Sequence, residues 1–191
     1  MPPKPLISRG DIIKAAVGLV RERGIENINA RSLANALNCS TRPLFRIYRN
    51  MEELKGDVFE ELNNYYTCYM DSEMISENKL INQCINYIQF AQKEPIIFSI
   101  LFMSKAIKGL SIQDIILTEK NEFLIEDIID ITGLPIDKAS NLVINMWFYS
   151  HGIATQIVSN GIVISSKEIT TLIENAFKRF SLDLSSNEGS I

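Results

Sequence analysis

Arg42 and Arg46 stand four residues apart in the run Thr41-Arg42-Pro43-Leu44-Phe45-Arg46-Ile47-Tyr48-Arg49. On a helix that spacing projects both guanidiniums from one side, with Thr41 in the first turn. A guanidinium fork can grip a phosphate, or the O6/N7 edge of a guanine, through paired hydrogen bonds. Arg49 follows just past the same segment. Arg31 opens the helix before it, where backbone N–H groups would also meet a phosphate. No acid lies between Asn27 and Met51. Arginines grouped around one turn with no acidic neighbour read as a polyanion site rather than as ordinary solvated charge.

Presenting such a face takes two short helices that cross steeply through a tight turn, and residues 30 to 49 have the residue types that this needs. Leu33 and Leu37 on the first helix and Leu44 and Ile47 on the second supply the inner faces. Ala34 is small where the helices approach most closely. Asn38 tolerates the left-handed backbone of the turn better than any residue but glycine, and Cys39 fills the corner as a small apolar side chain. Asn29 and Ser40 are the expected N-caps of the two helices. A plain helical hairpin needs only the apolar faces; the whole set of corner positions points to a helix-turn-helix.

The remaining pattern is helical throughout, and the chain is expected to be all-α. Residues 1 to 7, with three prolines, form an arm. Ser8 caps a first helix with the apolar face Ile12, Ile13, Ala16, Leu19 and Val20, which Gly24 stops. Asn50 begins a long helix reaching about Met70. Further helices are expected near 77–93, 95–107, 112–132, 136–159 and 166–181, about nine in all, with Pro95 in a first turn and a break at Gly133-Leu134-Pro135. This gives a helix-turn-helix domain over 1–55, a helical domain over 56–181, and a frayed tail over 182–191.

Charge divides the chain in the same place. Residues 1–55 carry ten Lys/Arg against five Asp/Glu, a net +5, and the remaining residues hold nine against eighteen, a net -9. The overall charge of -4 conceals a basic head on an acidic body. Cys39, Cys68 and Cys84 are odd in number and lack metal-ligand spacing, which fits a reduced cytoplasm and no metal. There is no basic-then-apolar leader and no apolar run long enough to span a bilayer. No membrane association is expected.

The head resembles a known family. Ser8-Arg9, Ile12-Ile13, Ala15-Ala16, Arg23-Gly24, Arg31, Leu33-Ala34, Ser40, Leu44-Phe45, Tyr48 and Glu53-Leu54 run in step, without a gap, with the N-terminal signature of TetR-like (tetracycline-repressor-like) regulators. The resemblance implies a dimeric repressor that binds double-stranded DNA at a palindromic operator and is released by a small molecule. It implies DNA contact through Arg31, Thr41, Arg42, Phe45, Arg46, Tyr48 and Arg49, the aromatic pair Phe45 and Tyr48 bracketing the end of the reading helix. The sequence departs from the family's usual residues at Asn38 for Gly, Phe45 for Tyr, Ile47 for His and Met51 for Lys. The last three remove polar groups aimed at DNA, so a small-molecule-binding protein with a degenerate head is the alternative reading.

In the second domain, Tyr87, Phe90, Phe98, Phe102, Met103, Phe123, Met146, Trp147 and His151 are the candidates to line an effector cavity, being bulky apolar groups with a few polar tips. His151 is the single histidine and has no evident nucleophile, acid or metal-ligating companion nearby in sequence, which makes it a core or pocket polar group. Leu142, Met146, Ile153, Ile157, Ile169, Leu172, Ile173, Ala176 and Phe180 give the helices at 136–159 and 166–181 wide apolar arcs, suited to a four-helix interface between two copies of the chain. No phosphate-binding loop, dinucleotide fingerprint, nucleophile elbow or zinc-protease motif occurs. Neither a cofactor nor an enzymatic activity is expected.

Overall fold

The computed structural model describes residues 7–71, 74–104, 111, 116 and 121–186. Among these, nine α-helices and a short 3-10 turn account for the ordered backbone, and no strand occurs. The helices are α1 (Arg9–Arg23), α2 (Ala30–Ala36), α3 (Arg42–Ile47), α4 (Met51–Met70), α5 (Lys79–Lys93), α6 (Pro95–Phe102), α7 (Glu122–Thr132), α8 (Ile136–Asn160) and α9 (Ser166–Ser186), with the 3-10 turn at Ile25–Asn27. The all-α expectation stands. The arm up to residue 6, positions 105–110, 112–115 and 117–120 of two expected helices, and the tail from 187 lie outside the described residues.

Helix starts follow local chemistry. Ser8 and Asp11 cap α1 reciprocally: the Asp11 amide donates to Ser8 Oγ at 3.1 Å and the Ser8 amide to Asp11 Oδ2 at 2.9 Å, which satisfies two of the free donors at the helix end. The Asn29 side chain accepts from the amides of Arg31 and Ser32 at the start of α2, both at 3.0 Å. Asn50 Oδ1 accepts from the Glu53 amide of α4 at 2.9 Å. In the same way Ser165 and Glu168 open α9. Left-handed Gly133 and Gly161 close α7 and α8.

The chain forms two compact units. One comprises the residues up to Cys68 together with Ile96–Met103; the other comprises Tyr69–Pro95 and the residues from Ser104 onward. The first unit therefore extends thirteen residues beyond the sequence-based boundary at 55 and takes in most of α6. Its core is Ile12, Ala16, Val20, Leu33, Ala34, Leu44, Leu54, Val58, Leu62, Ile97 and Phe98, all buried. Phe98 and Phe102 of α6 lie 5.1 Å apart, and the Tyr66 ring meets Phe102 edge-on at 4.8 Å.

The second unit packs α5, α7, α8 and α9 around Ile85, Ile88, Leu124, Ile128, Leu142, Val143, Met146, Ile169 and Ile173. Asn82 and Asn86 are buried on α5 and matched: Asn82 Oδ1 accepts from the Ile75 amide at 2.6 Å, and Asn86 Nδ2 donates to the Met70 carbonyl at 3.1 Å. Helix α9 runs to Ser186, past residue 182, where the tail was expected to begin. No glycine or proline interrupts the helix before Gly189. Leu184 packs against the core, and the Ser181 and Ser185 hydroxyls donate back to carbonyls of their own helix.

Candidate nucleic-acid interface

The corner between α2 and α3 is built by backbone bonds that only certain residues permit. Asn38 takes φ = 50°, the single positive φ of a non-glycine residue among those described. Around it the Asn38 amide donates to the Asn35 carbonyl at 3.1 Å and the Cys39 amide to the Ala34 carbonyl at 2.9 Å, the pair of bonds that ends a helix on a left-handed residue. Asparagine is, after glycine, the residue that enters this region most readily. Leu33, Ala34 and Leu44 are buried inside the corner, with Leu37, Cys39 and Ile47 half-buried around them.

Helix α3 starts one residue later than the sequence implies. Thr41, not Ser40, holds the cap position, and its side chain accepts no capping bond. The reason is Pro43. A cap at Ser40 would place proline third in the helix, where an N–H is needed to donate back to the serine, and proline has none. Starting at Arg42 instead lets the Leu44 amide donate to the Thr41 carbonyl at 3.2 Å.

The start of α3 and the segment after it carry the expected cations outward. Arg31, Arg42, Arg46 and Arg49 are exposed and Thr41 is half-exposed. Phe45, between the two helical arginines, is 50% exposed. Its ring therefore offers an apolar surface beside the guanidiniums, of the kind that meets a thymine methyl or a sugar. The Glu53 carboxylate accepts from the Arg49 backbone amide at 2.7 Å.

Tyr48 is the exception. It is 2% exposed and points into the unit, where its hydroxyl donates to Asp57 Oδ2 of α4 at 2.8 Å. The same oxygen receives Arg9 Nε at 2.7 Å and Arg9 Nη2 at 2.5 Å, and the Arg9 guanidinium sits 5.5 Å over the Tyr48 ring. Burial, then the Asp57 hydrogen bond, pushes the Tyr48 phenol up to about 12. Burial alone would raise the Asp57 carboxyl, but the bonds from Arg9 and Tyr48 outweigh it and leave it below its ordinary value. Of the seven residues expected at the interface, six are on the accessible side and Tyr48 is part of the support beneath them. The Arg9–Asp57 pair is beyond the reach of local pattern, its members lying 48 residues apart.

The nine candidates for an effector cavity fall in both units. Phe98, Phe102 and Met103 belong to the first unit, and Tyr87, Phe90, Phe123, Met146, Trp147 and His151 to the second. Phe90, Phe98 and Met146 are fully buried core side chains. Met103 and Phe123 are each 39% exposed, Phe123 lying under the Lys79 ammonium at 6.0 Å. The structure does gather Tyr87, Trp147 and His151: Tyr87 Oη lies 2.9 Å from His151 Nδ1, and the Trp147 and His151 rings stack 4.9 Å apart, within 4° of parallel. Burial lowers the His151 pKa, favouring the neutral ring. Cys84 is buried in the same unit, its thiol pushed up to about 12 by that burial, which leaves it a small apolar filler.

An open groove of about 930 Å³ on the first unit is lined from α1 by Ile13, Lys14, Val17 and Arg21 and from α4 by Glu60, Glu61, Leu62 and Tyr65. No group of three or more His, Cys, Asp or Glu able to hold a metal ion occurs among the described residues, and none of their helices is long and apolar enough to cross a membrane.

No family model and no curated protein matches the sequence. Among solved structures, the chain is similar to a TetR-like transcriptional regulator from Rhodococcus sp. RHA1, at 14% identity over 97% of this chain and 100% of that one, with a TM-score of 0.67. It is also similar to a variant of TetR from Acinetobacter baumannii AYE in complex with minocycline, at 15% identity over 96% and 99% of the two chains, with a TM-score of 0.55. Both likenesses run nearly end to end, and at such identities they are likenesses of fold.

Proposed function

The chain has the fold of TetR-like regulators, and on that premise we propose that it is a DNA-binding transcriptional regulator, a repressor that binds a palindromic operator as a homodimer. The observation that carries this reading is the exposed set Arg31, Arg42, Arg46 and Arg49 around an intact helix-turn-helix corner, with Thr41 and Phe45 among them. In this reading Arg42 and Arg46 read base edges or grip phosphates, and Arg31 and Arg49 hold the backbone on either side. A second copy of the chain would pair through α8, α9 and the link between them, where Phe148, Ile162 and Leu182 remain exposed.

Release is assigned to a small, largely apolar molecule bound in the second unit, with Tyr87, Trp147 and His151 supplying the polar and stacking contacts. A compound that binds the released state better shifts the population away from DNA. That one solved neighbour is a minocycline complex supports a small-molecule ligand, though not its apolar character. The exposed Phe45, which lacks a hydroxyl where a phosphate contact is expected, favours a second reading: a small-molecule-binding protein whose head no longer binds DNA.

Selection from random double-stranded DNA, followed by gel shift at a stated salt concentration, tests the proposal. Enrichment of a palindromic site supports it. No enrichment, with tight binding of an apolar compound at low salt, leaves the second reading.

A further inference from the structure

Two side chains converge on one atom of a third. Asp57 Oδ2 of α4 receives Tyr48 from the end of α3 and Arg9 from the first turn of α1. Asp57 is largely covered and Arg9 largely open, with side-chain exposures of 19% and 63%. Tyr48 is also the residue at which α3 stops: its amide donates to the Leu44 carbonyl at 2.9 Å and its own backbone is extended. Helix α3 has only six residues, too few to hold its own axis by internal hydrogen bonds. At its start the side-chain cap is missing. The orientation of the arginine face therefore depends on what fixes its far end.

We propose that Asp57 is a positioning residue for α3: by holding Tyr48 and Arg9 on a single carboxylate oxygen it sets the pose in which Arg42 and Arg46 are presented. Two alternatives are weaker. A purely stabilising ion pair would need only Arg9 and Asp57, and a pair whose arginine is largely open to solvent contributes little. A plain core aromatic at position 48 would need no hydroxyl, whereas this hydroxyl is buried and placed on the carboxylate. The ring and the hydroxyl do different things: the ring is buried in the unit, and the hydroxyl fixes the angle. The DNA-related part of this inference rests on the reading of the chain as DNA-binding.

The experiment compares Tyr48→Phe, Asp57→Ala and Asp57→Asn in the full chain. In the DNA-free protein, amide hydrogen exchange is followed over residues 44–49 and 30–37. Exchange in 44–49 is expected to rise about tenfold to a hundredfold in Tyr48→Phe and Asp57→Ala, as loss of one hydrogen bond to a charged group implies, while 30–37 stays unchanged. Asp57→Asn keeps an acceptor for the tyrosine and should recover part of the protection. On DNA, the ratio of affinity for the selected site to affinity for random sequence should fall by a similar factor with the salt dependence unchanged, because the phosphate contacts remain. A uniform rise in exchange across both segments, or a lowered melting temperature with the affinity ratio intact, would mean a structural contact only and overturn the proposal. Should the wild-type chain bind no DNA, the functional reading fails, and the exchange pattern still decides whether Asp57 holds α3.

Discussion

The corner of the first unit and the core of the second are both buried apolar packing, yet they are specified differently. In the corner each position has its own requirement: Ala34 for close approach, Asn38 for a φ of 50°, Leu44 for the seal between helices. In the second unit Ile85, Ile88, Leu124, Ile128, Leu142, Val143, Ile169 and Ile173 form a broad aliphatic interior, where many hydrophobic residues of similar volume would serve. Geometry that must present a reading face constrains the sequence residue by residue. A body that must enclose apolar volume constrains it only in pattern. Substitutions should therefore hurt in different ways in the two regions.

The largest effect is expected for Leu44→Ala. Leu44 is 1% exposed in a small core, and the cavity should cost about 2 to 5 kcal/mol, measured by chemical denaturation. The volume-conserving swap Ile128→Leu in the second unit should cost less than about 1.5 kcal/mol, and Leu44→Ile in the corner more; equal losses for these two would erase the contrast. Next comes Arg46→Ala, which should weaken binding to a selected DNA site by about 1 to 3 kcal/mol if the guanidinium reads a base, and relax the preference at one base pair. A loss that is uniform over all sequences assigns Arg46 to a phosphate instead. Asn38→Ala should cost roughly 1 to 2 kcal/mol, since alanine resists the left-handed backbone, and Asn38→Gly should be close to neutral. A neutral Asn38→Ala would show that the turn carries no such constraint.

The same contrast explains what is legible in the sequence. The caps at Ser8, Asn29 and Asn50 and the turn at Asn38 act on backbone groups within a few residues, so local residue types announce them. Ser40 misleads because Pro43 withholds the N–H that its cap would need. The inward turn of Tyr48 also has a signal in the chain: it lies four residues after Leu44 and so shares the buried face of α3. What it meets there has none, because Arg9 and Asp57 come together only through the tertiary packing of α1 and α4. In the second unit, helical periodicity locates the elements but does not separate core aromatics such as Phe90 from exposed ones such as Phe123, since both recur at helical spacing. The division of the nine cavity candidates between two units has the same origin.

The smallest effect concerns His151, and it tests whether the second unit contains any position as particular as those in the corner. Burial lowers its pKa relative to the unfolded chain, so the unfolded state binds the proton more readily. The neutral ring's contribution is fully present above the unfolded value of about 6.5, and it declines as pH falls through that value towards the lower folded one. Wild type should therefore lose stability between about pH 7.5 and about pH 5 more steeply than His151→Gln, in which nothing titrates at that position. The extra loss should be modest because the ring is only half-buried and keeps the Tyr87 and Trp147 contacts. Parallel pH profiles for the two proteins would mean that the Tyr87–His151–Trp147 cluster tolerates the charged ring. It would then be as permissive as the aliphatic interior around it, and the difference between the two regions would be sharper still.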